Sequence, residues 1–458
     1  MTVLENNIDR INSERLRSAR LLQQLRRVRE QNFNFSRNIQ KLQAELLEKT
    51  MALKEMDYNL GRINSEMEEE LETARRIQEG LMPKELPEMI NLKSAAVYIP
   101  AGKVGGDLYD ILITPSQKIA ILIFDVSGHG IPAALVGAMA KMLFANFIEK
   151  TESPAEVFRM VNRQLCSFIK TEQYLTAFLG IIDPVKSCMT YSRAGHVPPL
   201  VYNANLKQIT RLDSKGFFIG HTALLNIAEY FEHTINLGPG DKILFYTDGL
   251  TEGASPTGEL YGSERLKTAY LTYAHLEPDF VLNQLISEQK RFRNGTPLRD
   301  DFTLLCVELG NTESLLVDSG FTREDEPNIR ILNSSAEIER TCAAILKEMD
   351  KSGFKDKIIK QFKICIFEML TNALIHGNRG DVSKKVMVFY KITPFSATIS
   401  VKDEGAGFDY NNIPDPLLPE NRMKDHGRGI FLIRHYLDEV TFNDKGNRIM
   451  GRKYHRGD

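Results

Sequence analysis

The sequence predicts an α+β multidomain protein led by an N-terminal helical coiled coil, and three changes of pattern along its 458 residues predict it. Residues 1 to about 82 hold no Pro, and no Gly before Gly61, so nothing interrupts a long helix. From Lys93 to about Leu309, short β-rich runs alternate with turns, with a few helical patterns inserted. Residues 329–458 then read helix, helix, strand, strand, glycine loop, helix, strand, strand. Strand runs around a few helices indicate layered α+β domains rather than a doubly wound parallel sheet.

Within the first segment a strict 3-4 spacing runs Ile39, Leu42, Leu46, Lys49, Leu53, Met56, Leu60, Ile63, Met67, Glu70, Ala74, Ile77, Leu81. Eleven of these thirteen positions are apolar, while Glu, Arg, Lys and Gln crowd the positions between them. A seam repeating every 3.5 residues cannot be buried by one helix alone, so a left-handed coiled coil and a homodimer are expected. The seam continues more weakly upstream through Val28, Leu25, Leu21 and Ile11, interrupted by Asn32 and Ser18. Phe33 and Phe35 leave a break or a fold-back open, and the spacing leaves parallel and antiparallel pairing open.

In the middle segment, strands are predicted at 95–100, 119–126, 175–182, 188–193, 199–202, 243–247 and 302–309, with helices at 132–149, 155–170 and near 279–292. A polar stretch over 311–328 reads as a linker, so the expected division is 1–82, 83–310, 311–328 and 329–458.

Composition narrows the function. Lys and Arg number 58 against 60 for Asp and Glu, a formal charge of −2, without the basic excess of a nucleic-acid-binding domain. No apolar run approaches the ~18 residues that span a bilayer, and the first twenty residues are too polar for a signal peptide, so no membrane insertion and a cytoplasmic location are expected. The five cysteines, Cys166, Cys188, Cys306, Cys342 and Cys365, form no CxxC pair and no disulfide framework.

Aspartates stand where the middle segment's apolar runs end: Asp107 in VGGDLYD (104–110), Asp125 in DVSGHG (125–130), Asp248 in FYTDGLTEG (245–253), and Asp300 and Asp301 in RDDFT (299–303). Singly, an Asp beside Gly is a common turn residue. Together they would repel one another severely, because two charges 4 Å apart cost about 4 kcal/mol even at an effective dielectric near 20. Bound cations would relieve that repulsion, and all-oxygen ligands select Mg²⁺ or Mn²⁺ over Zn²⁺. These runs, with ARRIQEGLMP (74–83) and AGHVPP (194–199), follow the order seen in bacterial metal-dependent type 2C serine phosphatases, and most resemble the group that controls sigma factors during stress and sporulation. The resemblance covers about residues 74–309. It implies a central β-sandwich flanked by helices and a two-ion site using Asp107, Asp125, the carbonyl of Val126, Asp248 and Asp300. Asp300 is chosen over Asp301 because the family's ligand stands three residues before the Thr, here Thr303. His129 is a candidate for protonating the leaving group, with packing as its alternative role.

The last segment has no GxxxxGK[ST], which excludes a Walker-type ATPase. Instead Glu368, Asn372 and His376 step by four along one helical face. The DEGAG run (403–407) and HGRGIFL (426–432) follow, with two glycine pairs that permit close approach of backbone to a ligand; the second pair opens a helix whose amides favour phosphate. This trio resembles the GHKL ATPase fold over about 335–454, and NALIHG (372–377) with IPDP (413–416) most resembles the anti-sigma serine kinases. The resemblance implies an α/β sandwich that binds ATP with Mg²⁺. Glu368 would be the general base, Asn372 the Mg²⁺ ligand and Asp403 the adenine-reading carboxylate, with Gly405, Gly407, Gly427 and Gly429 shaping the pocket. A histidine autokinase is disfavoured, since residues 1–85 contain no His.

The expectation is therefore a bifunctional switch that dephosphorylates a serine or threonine on a small anti-sigma-factor antagonist of the STAS type and rephosphorylates it with ATP. A sigma factor and an upstream sensor protein are further expected partners. The alternatives are a phosphatase whose C-terminal domain is a non-catalytic anti-sigma binding module, and a coiled-coil scaffold with decayed catalytic domains.

Overall fold

The computed structural model describes residues 2–83, 91–169, 173–410 and 428–455. The chain divides into two units, residues 1–74 and 75–458. The first belongs to helix α1 (Thr2–Leu81), which runs unbroken through Phe33 and Phe35, so no fold-back occurs there. Its seam is bare in the single chain: Leu42, Leu46, Leu53 and Met56 are all more than 60% exposed. Isolated polar positions help the helix along, with Arg10–Glu14, Lys41–Glu45 and Arg62–Glu66 pairing one turn apart.

In the second unit, two five-stranded antiparallel sheets build the middle domain. Its elements in order are β1 (Leu92–Ile99), β2 (Leu108–Ile113), β3 (Ile119–Val126), α2 (Ile131–Ile148), α3 (Pro154–Phe168), β4 (Leu175–Asp183), β5 (Cys188–Ala194), β6 (Leu200–Asn203), β7 (Gln208–Arg211), β8 (Glu232–Asn236), β9 (Lys242–Tyr246), α4 (Asp248–Thr251), α5 (Gly262–Tyr273), α6 (Pro278–Arg293) and β10 (Phe302–Leu309). One sheet has the order β1-β10-β9-β6-β7 and the other β2-β3-β4-β5-β8. Strand β3 is an apolar run buried on both faces, from Ile119 to Phe124. It pairs in register with β2 (Leu108 opposite Phe124) and β4 (Asp125 opposite Thr176).

Helices α2 and α3 cover the second sheet. Ala133, Val136, Ala140, Phe144 and Ile148 of α2 face inward, and Phe144 links Phe124 to Phe158 at ring separations of 5.6 and 6.0 Å. Each buried aromatic of this kind contributes about 1.5–3 kcal/mol. Contrary to the expectation that no apolar run approaches the length of a membrane span, α2 has that length and an apolar composition. Its inward face packs in this core, and its single charge, Lys141, makes a buried ion pair with Asp110 of β2 at 2.5 Å.

Residues 311–328 are folded rather than extended: α7 (Thr312–Ser319) and a short 3₁₀ turn precede β11 (Asn328–Leu332). Leu316 and Phe321 are buried with Val185 of the β4–β5 turn, Ile329 and Phe389, so this stretch packs between the two sheet domains. The C-terminal domain continues with α8 (Ser335–Lys351), α9 (Asp356–Thr371), β12 (Val386–Ile392), β13 (Ser396–Asp403), α10 (Arg428–Tyr436), β14 (Glu439–Phe442) and β15 (Arg448–Tyr454). Its sheet has the order β11-β12-β13-β15-β14, and α8, α9 and α10 bury Ile345, Met349, Ile366, Met369 and Ile433 against it.

Candidate functional sites

Four chain segments bring carboxylates to one end of the middle domain. Asp107 precedes β2, Asp125 is the penultimate residue of β3, Asp248 opens α4 directly after β9, and Asp300 precedes β10. The loop after Val126 has left-handed backbone at Gly128 (φ 91°) and Gly130 (φ 76°) before α2 begins at Ile131 with Pro132 in its first turn, which explains the glycines of DVSGHG.

Asp107 is fully buried, and its Oδ2 accepts the hydroxyls of Thr247 and Thr303, each at 2.6 Å. Burial, followed by the charge of Asp125, holds its carboxyl well above the usual range. Burial and then Asp248, Asp300, Asp301 and Glu252 push Asp125 up to about 7. Asp248 is raised by burial, Asp300 and Glu252; Asp300 is raised by burial and, more weakly, by Asp301. The groups therefore share one electrostatic basin. Among the described residues, no three His, Cys, Asp or Glu side chains are already closed into a ligand shell. The Val126 carbonyl lies beside Gly106, where a Cβ would stand 2.7 Å from its oxygen and 3.2 Å from Asp125 Oδ1. This crowded all-oxygen set has the chemistry that hard divalent cations satisfy.

Asp301 has a different task from its neighbour. Its carboxylate accepts the amides of Ala101 at 2.9 Å and Gly106 at 2.6 Å, so it fastens the VGGD loop. Gln78 grips the same loop from the other side: its Nε2 donates to the Gly105 carbonyl at 2.6 Å and its Oε1 accepts the Gly105 amide at 3.1 Å. The Tyr98 hydroxyl is buried beside this loop and has no hydrogen-bond partner among the described residues. Sequence spacing indicated neither the Gln78 clamp nor the threonine pair on Asp107; the occurrence of Gln78 within the ARRIQEGLMP run was the available signal. His129 is exposed and near enough to Asp300 to lower its pKa slightly, so packing is not its role.

The C-terminal domain holds a cavity of about 500 Å³. Glu368, Asn372 and His376 all line it, although the ideal four-residue step ends at Asn372, where the backbone widens into a π-helical turn over Asn372–Gly377. Such turns are frequent at functional sites. Asp403 ends β13; its Oδ1 accepts the Gly405 amide at 2.8 Å, and its burial raises its pKa. A Cβ at Gly377 or Gly405 would collide with that carboxyl group, and one at Gly429 would collide with Glu368. Gly407 takes φ 79° against the Lys445 backbone. The buried Asn378 accepts the Glu404 amide at 2.9 Å and donates to the Lys385 carbonyl at 3.0 Å, bracing the loop after β13. Gly427 and the 413–416 run lie outside the described residues.

The two sites thus define a chain with a carboxylate-centred, antiparallel double-sheet domain and a helix-on-sheet domain with a glycine-lined cavity. Residues 115–310 match the family model of Stage II sporulation protein E (SpoIIE), and residues 332–453 match that of the histidine kinase-like ATPase domain. The chain belongs to these families: it is a SpoIIE-type, type 2C phosphatase domain joined to a histidine kinase-like ATPase domain. It is 29% identical over 245 residues to the phosphoserine phosphatase RsbU of Bacillus subtilis, covering 54% of this chain and 71% of that one. It is 30% identical over 124 residues to the serine-protein kinase RsbW of Bacillus thuringiensis, covering 26% of this chain and 75% of that one. Against Protein IcfG of Synechocystis the match is 29% over 267 residues but spans only 41% of that protein. Among solved structures, the RsbU and RsbW domains of Rv1364c from Mycobacterium tuberculosis are 20% identical with a TM-score of 0.44, covering 82% of this chain and 96% of that one.

Proposed function

We propose that the protein is a partner-switching regulator that removes phosphate from a phosphoserine or phosphothreonine on a small anti-sigma-factor antagonist, and restores it with ATP through the C-terminal domain. The observation that carries the first half is the convergence of Asp107, Asp125, Asp248 and Asp300 at one end of two sheets, where burial first and neighbouring carboxylates second raise their pKa values. Those four carboxylates and the Val126 carbonyl would hold two divalent ions, Mn²⁺ or Mg²⁺. When bound, the ions acidify water and neutralise charge on the phosphoryl group. Thr247 and Thr303 keep Asp107 oriented, while Asp301 and Gln78 fix the loop that carries it. His129, exposed beside Asp300, would protonate the departing serine oxygen.

In the C-terminal domain the cavity would take ATP with Mg²⁺. Asp403 would read the adenine, Asn372 would hold the ion, and Glu368 would accept the proton of the partner's serine hydroxyl. The similarities to RsbU and RsbW support opposing activities on one partner. The exposed α1 seam supports a homodimer, with a sigma factor and an upstream sensor as further partners. Phosphate release from a phosphorylated antagonist in Mn²⁺, lost in Asp248→Asn, tests the phosphatase. Radiolabelled ATP tests the kinase: labelling of the antagonist should vanish in Glu368→Ala while ATP binding persists. Binding without labelling in the wild type would leave the domain a non-catalytic anti-sigma module.

A further inference from the structure

The charge of helix α1 is divided lengthwise. Residues 10–37 carry eight Arg against two Glu, a formal charge of +6, whereas residues 44–71 carry eight acidic residues against three basic ones, −5. Both halves share one seam, interrupted at Ser18 and Asn32, whose apolar side chains are exposed in the single chain from Ile11 through Leu25, Val28, Ile39 and Leu46 to Met67. An exposed seam of this length requires an occupant, and its charge pattern restricts which one and in what direction.

We infer that the occupant is a second copy of this chain lying antiparallel, with residue i of one helix level with residue 81−i of the other; this rests on the homodimer reading above. In a parallel pair, equivalent seam positions meet. Glu14 would face Glu14, Lys49 would face Lys49, Glu70 would face Glu70, and the flanking Arg10 would lie beside Arg15 of the second copy. The two +6 halves would also lie side by side. The antiparallel register removes all of these conflicts. Lys49 then meets Asn32, a polar layer in which the amide oxygen accepts from the ammonium. Glu14 meets Met67, Glu70 meets Ile11, and Arg17 lies beside Glu66. Ser18 meets Ile63, and the other layers are apolar, among them Leu21 with Leu60, Leu25 with Met56, Val28 with Leu53 and Phe35 with Leu46. Asn32 alone would suit either direction; like-charge contacts at Glu14, Lys49 and Glu70 arise only in the parallel one. Each basic half then covers an acidic half, and the two chains leave the paired segment at opposite ends, about 120 Å apart at 1.5 Å per residue.

Cross-linking of the full-length chain reads the direction. Leu25→Cys and Met56→Cys are prepared separately, mixed, re-equilibrated and oxidised, with the wild type as the blank because four of its five cysteines are buried. The expected result is a covalent dimer from the mixture and none from either variant alone. Self-cross-linking of Leu25→Cys would overturn the antiparallel direction while leaving the dimer. Sedimentation as a monomer at all concentrations would overturn the dimer itself, leaving the basic half for another polyanion. Raising the salt should weaken the wild-type dimer; a dimer that tightens with salt would contradict the charge pairing.

Discussion

The two candidate sites solve opposite problems. In the middle domain, charges of one sign are forced together from segments almost two hundred positions apart, and the result is electrostatic tension. In the C-terminal domain, the polar residues are few, and what is arranged is clearance: Gly377, Gly405 and Gly429 leave room beside Asp403 and Glu368 that any Cβ would fill. The first site depends on what neutralises it and the second on what fits into it. Substitutions should therefore separate them cleanly.

The largest effect is expected from Asp125→Asn or Asp248→Asn. Either should lower phosphatase turnover by roughly 10³-fold, the scale of a preorganised charge-stabilising group, and leave ATP binding unchanged. Loss of both activities would break the contrast between the sites. Conversely, Gly377→Ala should displace Asp403 at a cost of about 1–3 kcal/mol, the usual penalty of overpacking. Equilibrium dialysis should then show ATP affinity falling tenfold or more, with phosphate release unaltered.

Gln78→Ala tests the loop clamp. Outer-shell partners typically change metal affinity or activity about 10–100-fold, and the Mn²⁺ concentration for half-maximal activity should rise on that scale. The smallest effect is on stability. A carboxyl raised in the folded state keeps its proton longer there than in the unfolded chain, so metal-free protein loses stability as pH rises from about 4 towards the raised value of about 7 at Asp125. Melting in EDTA should be several degrees lower at pH 8 than at pH 5, and added Mg²⁺ should reverse this at pH 8. A melting point insensitive to both would remove the tension from the account.

Much of this contrast was legible in sequence. The strands over 119–126 and 302–309 were readable because both are continuous apolar runs ending in turn residues, and β3 and β10 occupy those ranges. Strand β7 escaped because Gln208–Arg211 is short and largely exposed, and β11 because it is a five-residue edge strand directly after a polar stretch. The folded character of 311–328 was hidden because its anchors are few, the buried Leu316 and Phe321 with the half-buried Leu315, in a largely polar stretch. Pairing of the aspartates rested on family resemblance, since no local pattern links residue 107 to residue 300. The Gln78 and Asp301 contacts reach across 27 and 195 positions, and periodicity carries no record of such distances.

Mn²⁺ titration of the purified full-length chain, followed by calorimetry or by the electron spin resonance of the free ion, tests the central claim most directly. About two ions should bind per chain in the middle domain, with at least one lost in Asp125→Asn and the C-terminal cavity unaffected. Binding of no ion in the absence of ATP, or undiminished binding in Asp125→Asn, would contradict that claim.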